Sequence, residues 1–344
     1  MTRLLTRRAA LLMALTTALA ITGCATTSGP ADNSASSSTV DGPFPVTVTS
    51  CGHDVTFDAP PERAVVNDNN MVELMFRLGL ADRMAAYAGV GDNRMNLPEF
   101  ADDYARIPSL GDDYFTLEPL LGADPDFVFA GWNYGFSDED GITPDTLSQR
   151  GIPSYVLAES CRRVVDGMGP SSVADWYTDI RNIGAIFGVP DRADALIEQL
   201  QTTIDDVQTC LPPEVNRTGT VFTYLSGDDA PGTAPALTIV SELDRLSGGR
   251  NVFDDVNKMW GKVTWEEVVD RNPTLIVVVD YGTGLTGEQK IESLRTNPAI
   301  ADVAAVRNNN FLVLPQNAVN PGPRIGEGIA ARAAALYPSS CSTS

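Results

Sequence analysis

Residues 172–210 have the sequence SVADWYTDIRNIGAIFGVPDRADALIEQLQTTIDDVQTC, in which apolar side chains recur at the spacing of an amphipathic helix. The first apolar set is Val173, Trp176, Tyr177, Ile180, Ile183 and Phe187, and the second is Ala195, Leu196, Ile197, Leu200, Ile204 and Val207. Pro190 opens the second helical stretch, because proline is favoured at the first position of a helix. No strand pattern interrupts the stretch, so we expect it to connect two lobes.

Strands and helices alternate on both sides of this connector. Predicted strands cover 64–66, 84–87, 127–130 and 155–157 before it and 221–225, 275–279 and 311–314 after it; helices are expected at 71–78, 116–121, 144–150 and 326–337. Such alternation is typical of a parallel sheet covered by helices. We predict an α/β fold of two lobes, each a parallel sheet with flanking helices, joined by one long rigid inter-lobe helix. The lobes would cover 43–170 and 191–344, and the connecting helix 171–190.

The composition excludes several classes of function. The 344 residues include 24 Lys and Arg, 45 Asp and Glu and one His, which gives a formal net charge of −21. This acid excess argues against a nucleic-acid partner, because neutralising phosphates needs clustered Lys and Arg. A single His excludes metal sites that need two or more imidazoles. We therefore expect no catalytic residue and no metal site.

The N-terminus has the pattern of an export signal. Three Arg precede an apolar run at 9–21, which is too short to span a bilayer. Ile21-Thr22-Gly23-Cys24 follows and resembles a bacterial lipobox. We predict a signal peptide at 1–23, lipidation of Cys24 and a flexible tether at 24–42, which would hold the protein on the extracytoplasmic face of the cell membrane. An ordinary secretory signal is the alternative, and the export route, general secretory or twin-arginine, is open.

Four further cysteines lie in the body of the chain: Cys51, Cys161, Cys210 and Cys341. An even number in an exported protein favours two disulfides, and four cysteines allow three pairings. We favour Cys51–Cys161 and Cys210–Cys341, one bridge in each lobe. Buried free thiols are the alternative.

The two halves share a short pattern. LEPLLGADPDFV at 117–128 and WEEVV at 265–269 each place a glutamate, Glu118 or Glu266, near the start of a short helix, and a proline precedes a strand seven residues after that glutamate. Both glutamates could simply interact with the helix dipole.

These segments, together with VTFDAPPERAVV at 55–66, ELMFRLGLAD at 73–82 and GGRNVF at 248–253, carry a family resemblance. The chain resembles the substrate-binding lipoproteins of ABC importers for iron–siderophore complexes and vitamin B12, which have the class III periplasmic binding protein fold. The resemblance implies a monomer that performs no chemistry and has no cofactor, since iron would enter only as part of the bound chelate. The ligand would lie in a solvent-open groove between the lobes, and the partners would be an ABC permease and its ATPase.

The resemblance also implies how the protein would dock. In this family a surface carboxylate on each lobe enters an Arg-lined pocket of the permease, and Glu118 and Glu266 match these two positions.

Candidate ligand-binding residues lie just after predicted strands, where α/β sheets bind their ligands. They are Tyr87, Arg94, Trp132, Tyr134, Phe136, Arg162 and Arg163 in the first lobe and Tyr224, Trp260, Tyr281 and Arg324 in the second. Aromatic rings offer a large contact area, and Arg could neutralise the anionic oxygens of a ferric siderophore. Each aromatic residue could instead pack within its lobe.

Two other patterns suggest alternative functions. His53 could ligate haem iron, which would suit a haem carrier, and a corrinoid carrier is a further alternative. The motif Gly282-Thr283-Gly284-Leu285-Thr286-Gly287 matches a dinucleotide-binding loop, but the following strand ends without the acidic residue that would bind a ribose. A glycine-rich turn facing the groove is the interpretation we favour over an extracytoplasmic enzyme.

Overall fold

The computed structural model describes residues 44–90 and 93–341. The predicted signal peptide at 1–23, the lipidation site Cys24 and the tether at 24–42 lie outside these ranges. Within them, no helix combines the length and the apolar character needed to cross a membrane.

A five-stranded parallel sheet forms the first lobe, by which we mean the described residues up to 170. An antiparallel hairpin precedes it. The strands are β1 (Val46–Ser50) and β2 (His53–Phe57) in the hairpin, then β3 (Ala64–Asn67), β4 (Met84–Ala88), β5 (Phe127–Trp132), β6 (Gly135–Phe136) and β7 (Ser154–Val156). Strand β3 lies between β4 and β5, and β5 also pairs with β6 and β7. All four residues of β3 are buried, as expected for a strand covered on both faces.

The helices of the first lobe are α1 (Asn69–Arg77), α2 (Ala101–Arg106), α3 (Leu117–Gly122) and α4 (Pro144–Ser148). Helix α1 begins after Asp68, whose carboxyl accepts a hydrogen bond from the Asn69 N–H at 2.7 Å. The chain leaves α1 through Gly79, whose φ of 65° is in the left-handed region that favours glycine. The elements predicted for this lobe are found to within a few residues, whereas α2 and β6 were not predicted.

Two helices connect the lobes where one was expected at 171–190. They are α5 (Val173–Ile186) and α6 (Pro190–Cys210). A capping box between Ser172 and Asp175 starts α5. Gly188, with a φ of 66°, ends the helical path, and Pro190 opens the next helix. The difference arises because a left-handed glycine so close to a proline cannot continue a single helix.

A four-stranded parallel sheet forms the second lobe, by which we mean the described residues after 210. Its strands lie in the order β10, β8, β12, β13, and β9 pairs with β11 in a separate antiparallel ribbon. The strands are β8 (Thr220–Tyr224), β9 (Gly232–Thr233), β10 (Arg250–Asn251), β11 (Gly261–Lys262), β12 (Leu275–Asp280) and β13 (Phe311–Pro315). The helices are α7 (Val240–Leu246), α8 (Trp265–Arg271), α9 (Gly287–Thr296), α10 (Ala304–Arg307) and α11 (Ile325–Leu336).

One apolar cluster joins the two lobes through the connector. It includes Trp176 and Ile180 of α5, Ile197 and Leu200 of α6, and Ile329 of α11, all of them buried. Helix α5 packs on β1 of the first lobe, and α6 packs along α11 of the second. Because both connector helices share this core, they hold the lobes side by side.

Two disulfides close long loops, one within the first lobe and one between the end of α6 and the last described residue of the second lobe. Cys51 bonds to Cys161 and Cys210 bonds to Cys341. This is the pairing that we favoured among the three that the sequence allows.

Candidate functional site

Polar residues follow the strands of both sheets at their carboxyl ends, and these ends meet. Strand β3 is followed by Asp68, Asn69 and Asn70, and β12 ends at Asp280. Strand β13 is followed by Gln316, which begins a short turn. Since parallel sheets place their ligand-binding loops at this edge, we take the contact between the two edges as the candidate site.

A first group of contacts joins the loop after β4 to the loop after β12. The Arg94 guanidinium forms an ion pair with Asp280 at 2.5 Å and donates to the Gly282 carbonyl at 2.9 Å. The Asn93 amide donates to the Tyr281 carbonyl at 3.0 Å. Arg94 therefore binds the second lobe directly.

A second group of contacts runs from the start of α1 to the loop after β13. The Gln316 amide donates to the Asp68 carboxylate at 3.1 Å, and the Asn317 amide donates to Asn69 at 2.7 Å. The Asn317 amide also donates to the Glu73 carboxylate. In these contacts the first lobe supplies the acceptors and the second lobe supplies the donors, while the neighbouring Asn70 amide of the first lobe donates in the opposite direction, to the Pro321 carbonyl.

A third contact lies beyond β7. The Glu159 carboxylate, from the first lobe, accepts a hydrogen bond from the Ile239 backbone N–H of the second lobe at 2.7 Å. Glu159 is 1% exposed.

Burial shifts the titration of these carboxyl groups. Loss of water raises the pKa of Asp68 to about 6, although hydrogen bonds from the Asn69 N–H, Tyr114 and Gln316 act in the opposite direction. Burial raises the pKa of Glu159 to about 7. Four neighbouring groups act to lower this pKa, namely the Ile239 N–H, Arg162, the Trp260 indole and Arg163. The pKa of Glu73 is also raised, and burial is again the main cause. Carboxyl groups with perturbed titration are common at functional sites.

The space that remains between the lobes is small. Asp68, Asn70, Tyr134, Leu157, Glu159, Asn320 and Pro321 line a gap that is too small to hold a water molecule. Ligand pockets usually have volumes of about 300–1,000 Å³, so a chelate needs the lobes to separate. Among residues 44–90 and 93–341, direct polar contacts between the lobes close the groove in this conformation, whereas a solvent-open groove was expected.

Five of the predicted ligand residues lie at this interface. Arg94 bonds across it, and Tyr134 lines the gap. The Asn93 amide bonds to the Tyr281 backbone, and the Trp260 indole lies beside Glu159. The Arg324 guanidinium donates to the Met95 carbonyl of the first lobe at 3.3 Å.

Four predicted residues serve the packing of the lobes instead. Tyr87 is 7% exposed, and its ring packs against Tyr104. Tyr224 packs against Trp265, and Phe136 is fully buried in the first-lobe core. Arg162 forms an ion pair with Asp175 at 2.8 Å and donates to backbone carbonyls, so it stabilises the start of α5.

Trp132 and His53 lie together at a different place. Both line a cavity of about 630 Å³ between the β1–β2 hairpin and α4, on the first lobe alone. His53 is exposed on β2 and does not line the gap between the lobes. A ligand between the lobes would therefore not contact His53. The position of His53 does not support the alternative in which it ligates haem iron. In the described ranges, no group of three or more His, Cys, Asp and Glu side chains could hold a metal ion.

The glycine motif at 282–287 is part of the lobe interface. The Asp280 carboxylate accepts the backbone N–H of Gly282 at 2.8 Å and that of Gly287 at 2.9 Å. An anionic carboxylate thus occupies the N–H groups that a dinucleotide phosphate would need. This contact agrees with the turn interpretation and disagrees with a nucleotide site.

Sequence reasoning missed the carboxylates and amides that make most of the contacts. The signal was present in Asn67-Asp68-Asn69-Asn70, an uninterrupted polar run between a buried strand and an apolar helix. Glu159 likewise follows β7 closely. These positions were missed because only aromatic residues and Arg were considered as ligand-binding candidates.

The two predicted docking residues occupy equivalent places. Glu118 is the second residue of α3, Glu266 is the second residue of α8, and both side chains are exposed. Among the described residues, neither carboxylate has a hydrogen-bond or ion-pair partner. In α8 the neighbouring Glu267 serves as the capping carboxylate and accepts the Thr264 N–H at 2.8 Å. Glu266 is therefore not needed for the cap.

An exposed apolar residue accompanies each of these glutamates. Leu121 follows Glu118 by three positions, Val269 follows Glu266 by three, and each is 37% exposed. Residues three apart lie on the same face of a helix. Each lobe thus presents a carboxylate beside an apolar side chain.

Comparison with known proteins agrees with this architecture. The chain belongs to the periplasmic binding protein family, whose profile matches residues 65–318. YvrC, an uncharacterised ABC transporter substrate-binding lipoprotein of Bacillus subtilis, is 25% identical over 333 residues, which are 96% of each chain. A vitamin B12-binding protein of Yersinia pestis is 25% identical over 63% of this chain and 69% of its own.

A solved structure shares the fold. The crystal structure of an ABC-type Fe³⁺-hydroxamate transport system of Saccharomonospora viridis matches with a TM-score of 0.71 and 27% identity, over 86% of this chain and 100% of that one. The resemblance predicted from the sequence is confirmed at the level of the family.

Proposed function

We propose that this protein is the extracytoplasmic substrate-binding component of an ABC importer, and that it captures a ferric siderophore or a similar iron chelate between its lobes. The observation that carries the proposal is the meeting of two parallel sheets at their carboxyl ends, across a polar interface that spans both lobes. The similarity to an Fe³⁺-hydroxamate transport protein supports the iron chelate as substrate. The site would bind and release its cargo without chemical change.

Delivery requires a partner that recognises the loaded protein. We propose that an ABC permease, driven by its ATPase, receives Glu118 and Glu266 in basic pockets. Leu121 and Val269 would add an apolar contact beside each charge. Because each glutamate belongs to a different lobe, the distance between them would report lobe separation to the permease.

Attachment to the membrane is proposed through lipidated Cys24. The similarity to a substrate-binding lipoprotein over 96% of this chain supports it. We further propose that the protein acts as a monomer, so that both docking helices stay free for the permease.

A binding titration tests the cargo. Intrinsic tryptophan fluorescence of the full chain should be quenched saturably by a ferric trihydroxamate, since Trp260 lies at the lobe interface. Trp260→Phe should remove a larger share of the quenching than Trp132→Phe, because Trp132 lies on the outer cavity of the first lobe. Absence of quenching by any iron chelate would contradict the proposal.

A corrinoid is the second candidate cargo. The similarity to a vitamin B12-binding protein favours it. In the same titration, saturable quenching by cobalamin together with no response to iron chelates would select this candidate.

A further inference from the structure

One side chain of the first lobe, Arg94, is bound by the glycine-rich turn that follows β12 in the second lobe. Its partners are one carboxylate and three backbone carbonyls: Asp280 at 2.5 Å, Gly282 at 2.9 Å, Leu285 at 3.1 Å and Gly284 at 3.5 Å. Within residues 44–90 and 93–341, these are the hydrogen-bond partners of the Arg94 side chain, and all of them belong to the second lobe. The turn at 280–285 is therefore a binding site for one guanidinium group.

The turn also has support from within its own lobe. The Asp280 carboxylate accepts the backbone N–H groups of Gly282 at 2.8 Å and of Gly287 at 2.9 Å. The Lys290 ammonium group of α9 attracts the same carboxylate. When the lobes separate, Asp280 keeps these donors and a nearby cation, whereas the Arg94 side chain loses all of its described partners.

Charge distinguishes this contact from others between the lobes. Among the residues that the structure describes, Arg94 and Asp280 form the one ion pair that joins the first lobe to the second. The Gln316 amide and the Ile239 N–H, by contrast, are neutral donors. Water screens the ion pair only in part, because the side chain of Asp280 is 7% exposed and that of Arg94 is 35% exposed. The pair is therefore well suited to stabilise the closed arrangement.

The closed arrangement and a cargo between the lobes exclude each other. The gap there is too small to hold a water molecule, so a chelate enters only after the lobes have separated. A contact that stabilises the closed arrangement lowers the population of the state that can bind, and the apparent affinity for cargo falls by the same factor.

From these contacts we infer that Arg94 is an autoinhibitory latch. Its guanidinium, bound in the turn at 280–285, holds the lobes closed against cargo, and it must leave the turn before cargo binds. The inference rests on the proposed function and adds a regulation of the same site. It differs from the ligand contact that the residue type suggested, because loss of a latch strengthens binding and loss of a ligand contact weakens it.

Stopped-flow measurement of tryptophan quenching by a ferric trihydroxamate tests the latch with the full chain. Arg94→Gln should raise the association rate constant by about threefold to thirtyfold, because more of the protein is able to bind, and should leave the dissociation rate constant unchanged. A direct contact between Arg94 and the cargo would instead give faster dissociation in the variant. Unchanged association or faster dissociation would overturn the inference.

Arg106→Gln is the matched control. It makes the same change of charge in the first lobe, but Arg106 pairs within that lobe, with Asp82 at 2.7 Å and Asp103 at 2.9 Å. The control should keep both wild-type rate constants. Equal acceleration of association in the two variants would assign the effect to long-range attraction of a charged chelate and would also overturn the inference.

A measurement without cargo distinguishes failure of the latch from failure of the proposed function. Small-angle X-ray scattering should give a larger radius of gyration for Arg94→Gln than for Arg106→Gln, and equal radii would overturn the latch whatever the protein binds. A wild-type chain that responds to no iron chelate and to no cobalamin would contradict the proposed function, and the two radii would still decide the latch.

Discussion

Asp68 combines several unusual properties in one residue. Its φ of 72° is rare for a residue other than glycine, its carboxyl caps α1, and its side chain contacts the other lobe. Backbone conformations of this kind persist where the surrounding structure holds them, often at functional sites. The residue thus links the start of a helix to the closure of the lobes.

The raised pKa values of Asp68 and Glu159 predict a pH dependence of stability. The folded protein binds these protons more tightly than the unfolded chain does, so their contribution is complete at acidic pH and is lost as the pH rises through about 6 for Asp68 and about 7 for Glu159. Between roughly pH 5 and pH 8 the free energy of unfolding should fall by about 1–3 kcal/mol for each group. Urea unfolding over this range measures it.

The isosteric amides provide the check on this prediction. Glu159→Gln should flatten the fall in the free energy of unfolding between mildly acidic and mildly basic pH, because glutamine does not titrate. Glu288→Gln, at an exposed acid in the first turn of α9, is the control and should follow the wild type. A Glu159→Gln variant with the full wild-type slope would show that Glu159 does not titrate in this range.

Helices α3 and α8 are the elements on which docking depends. Each is short, begins with an exposed glutamate at its second position and presents an apolar residue three positions later. In α8 the cap is made by Thr264 and Glu267, so Glu266 can change without loss of the helix start. The sequence repeat between the lobes therefore corresponds to a structural repeat with a free carboxylate in each copy.

Replacement of both glutamates should separate binding from transport. The double variant Glu118→Ala/Glu266→Ala should bind the chelate like the wild type and lose most uptake in cells. Losing one partner of a desolvated interfacial charge pair costs roughly 2–5 kcal/mol. Glu288→Ala, at the second position of α9, is the control, and radiolabelled iron uptake is the measurement. Normal uptake by the double variant would exclude the docking role.

The two lobes are held in one arrangement by the connector core and by polar contacts at the interface. Helices α5 and α6 share an apolar cluster with both lobes, which favours small rotations over large ones. The interface itself consists of ion pairs and hydrogen bonds that water can replace. We therefore expect the lobes to separate at the interface while the connector stays intact.

A substitution at Gly282 tests whether contacts at the interface hold the lobes together. The φ of Gly282 is 78°, and a Cβ there would lie 1.6 Å from the Asn93 side chain of the first lobe. Gly282→Ala should therefore displace the Asn93 side chain, break its hydrogen bond to the Tyr281 carbonyl and weaken the contact between the lobes, so small-angle X-ray scattering should report a larger radius of gyration. Gly284→Ala is the matched control, because its φ is 62° and its Cβ would meet nothing within 4 Å.

Both alanines carry a similar backbone penalty of about 1–2 kcal/mol, so the steric contact is what differs between them. Equal radii of gyration for the two variants would contradict the closure mechanism.

Much of the architecture was predictable from local pattern. Apolar runs bounded by turn residues located the strands, and capping residues located the helix starts, because both signals depend on near neighbours. The helix patterns placed Glu118 and Glu266 near the starts of two short helices, and the family resemblance implied that both are exposed. The connecting helix predicted at 171–190 corresponds to α5, and the helical stretch predicted to open at Pro190 corresponds to α6, which also belongs to the connector.

The sequence by itself determined two α/β lobes, a helical connector and the position of a glutamate on each of two short helices, because these features follow from spacing along the chain. Only the tertiary structure decided that Asp68 meets Gln316, 248 positions away, and that Arg94, Arg162 and Arg324 are paired with the protein's own carboxylates. The physical reason is that contacts between lobes depend on how α5, α6 and α11 pack together. That packing sets which strand ends face each other, and no local pattern encodes it.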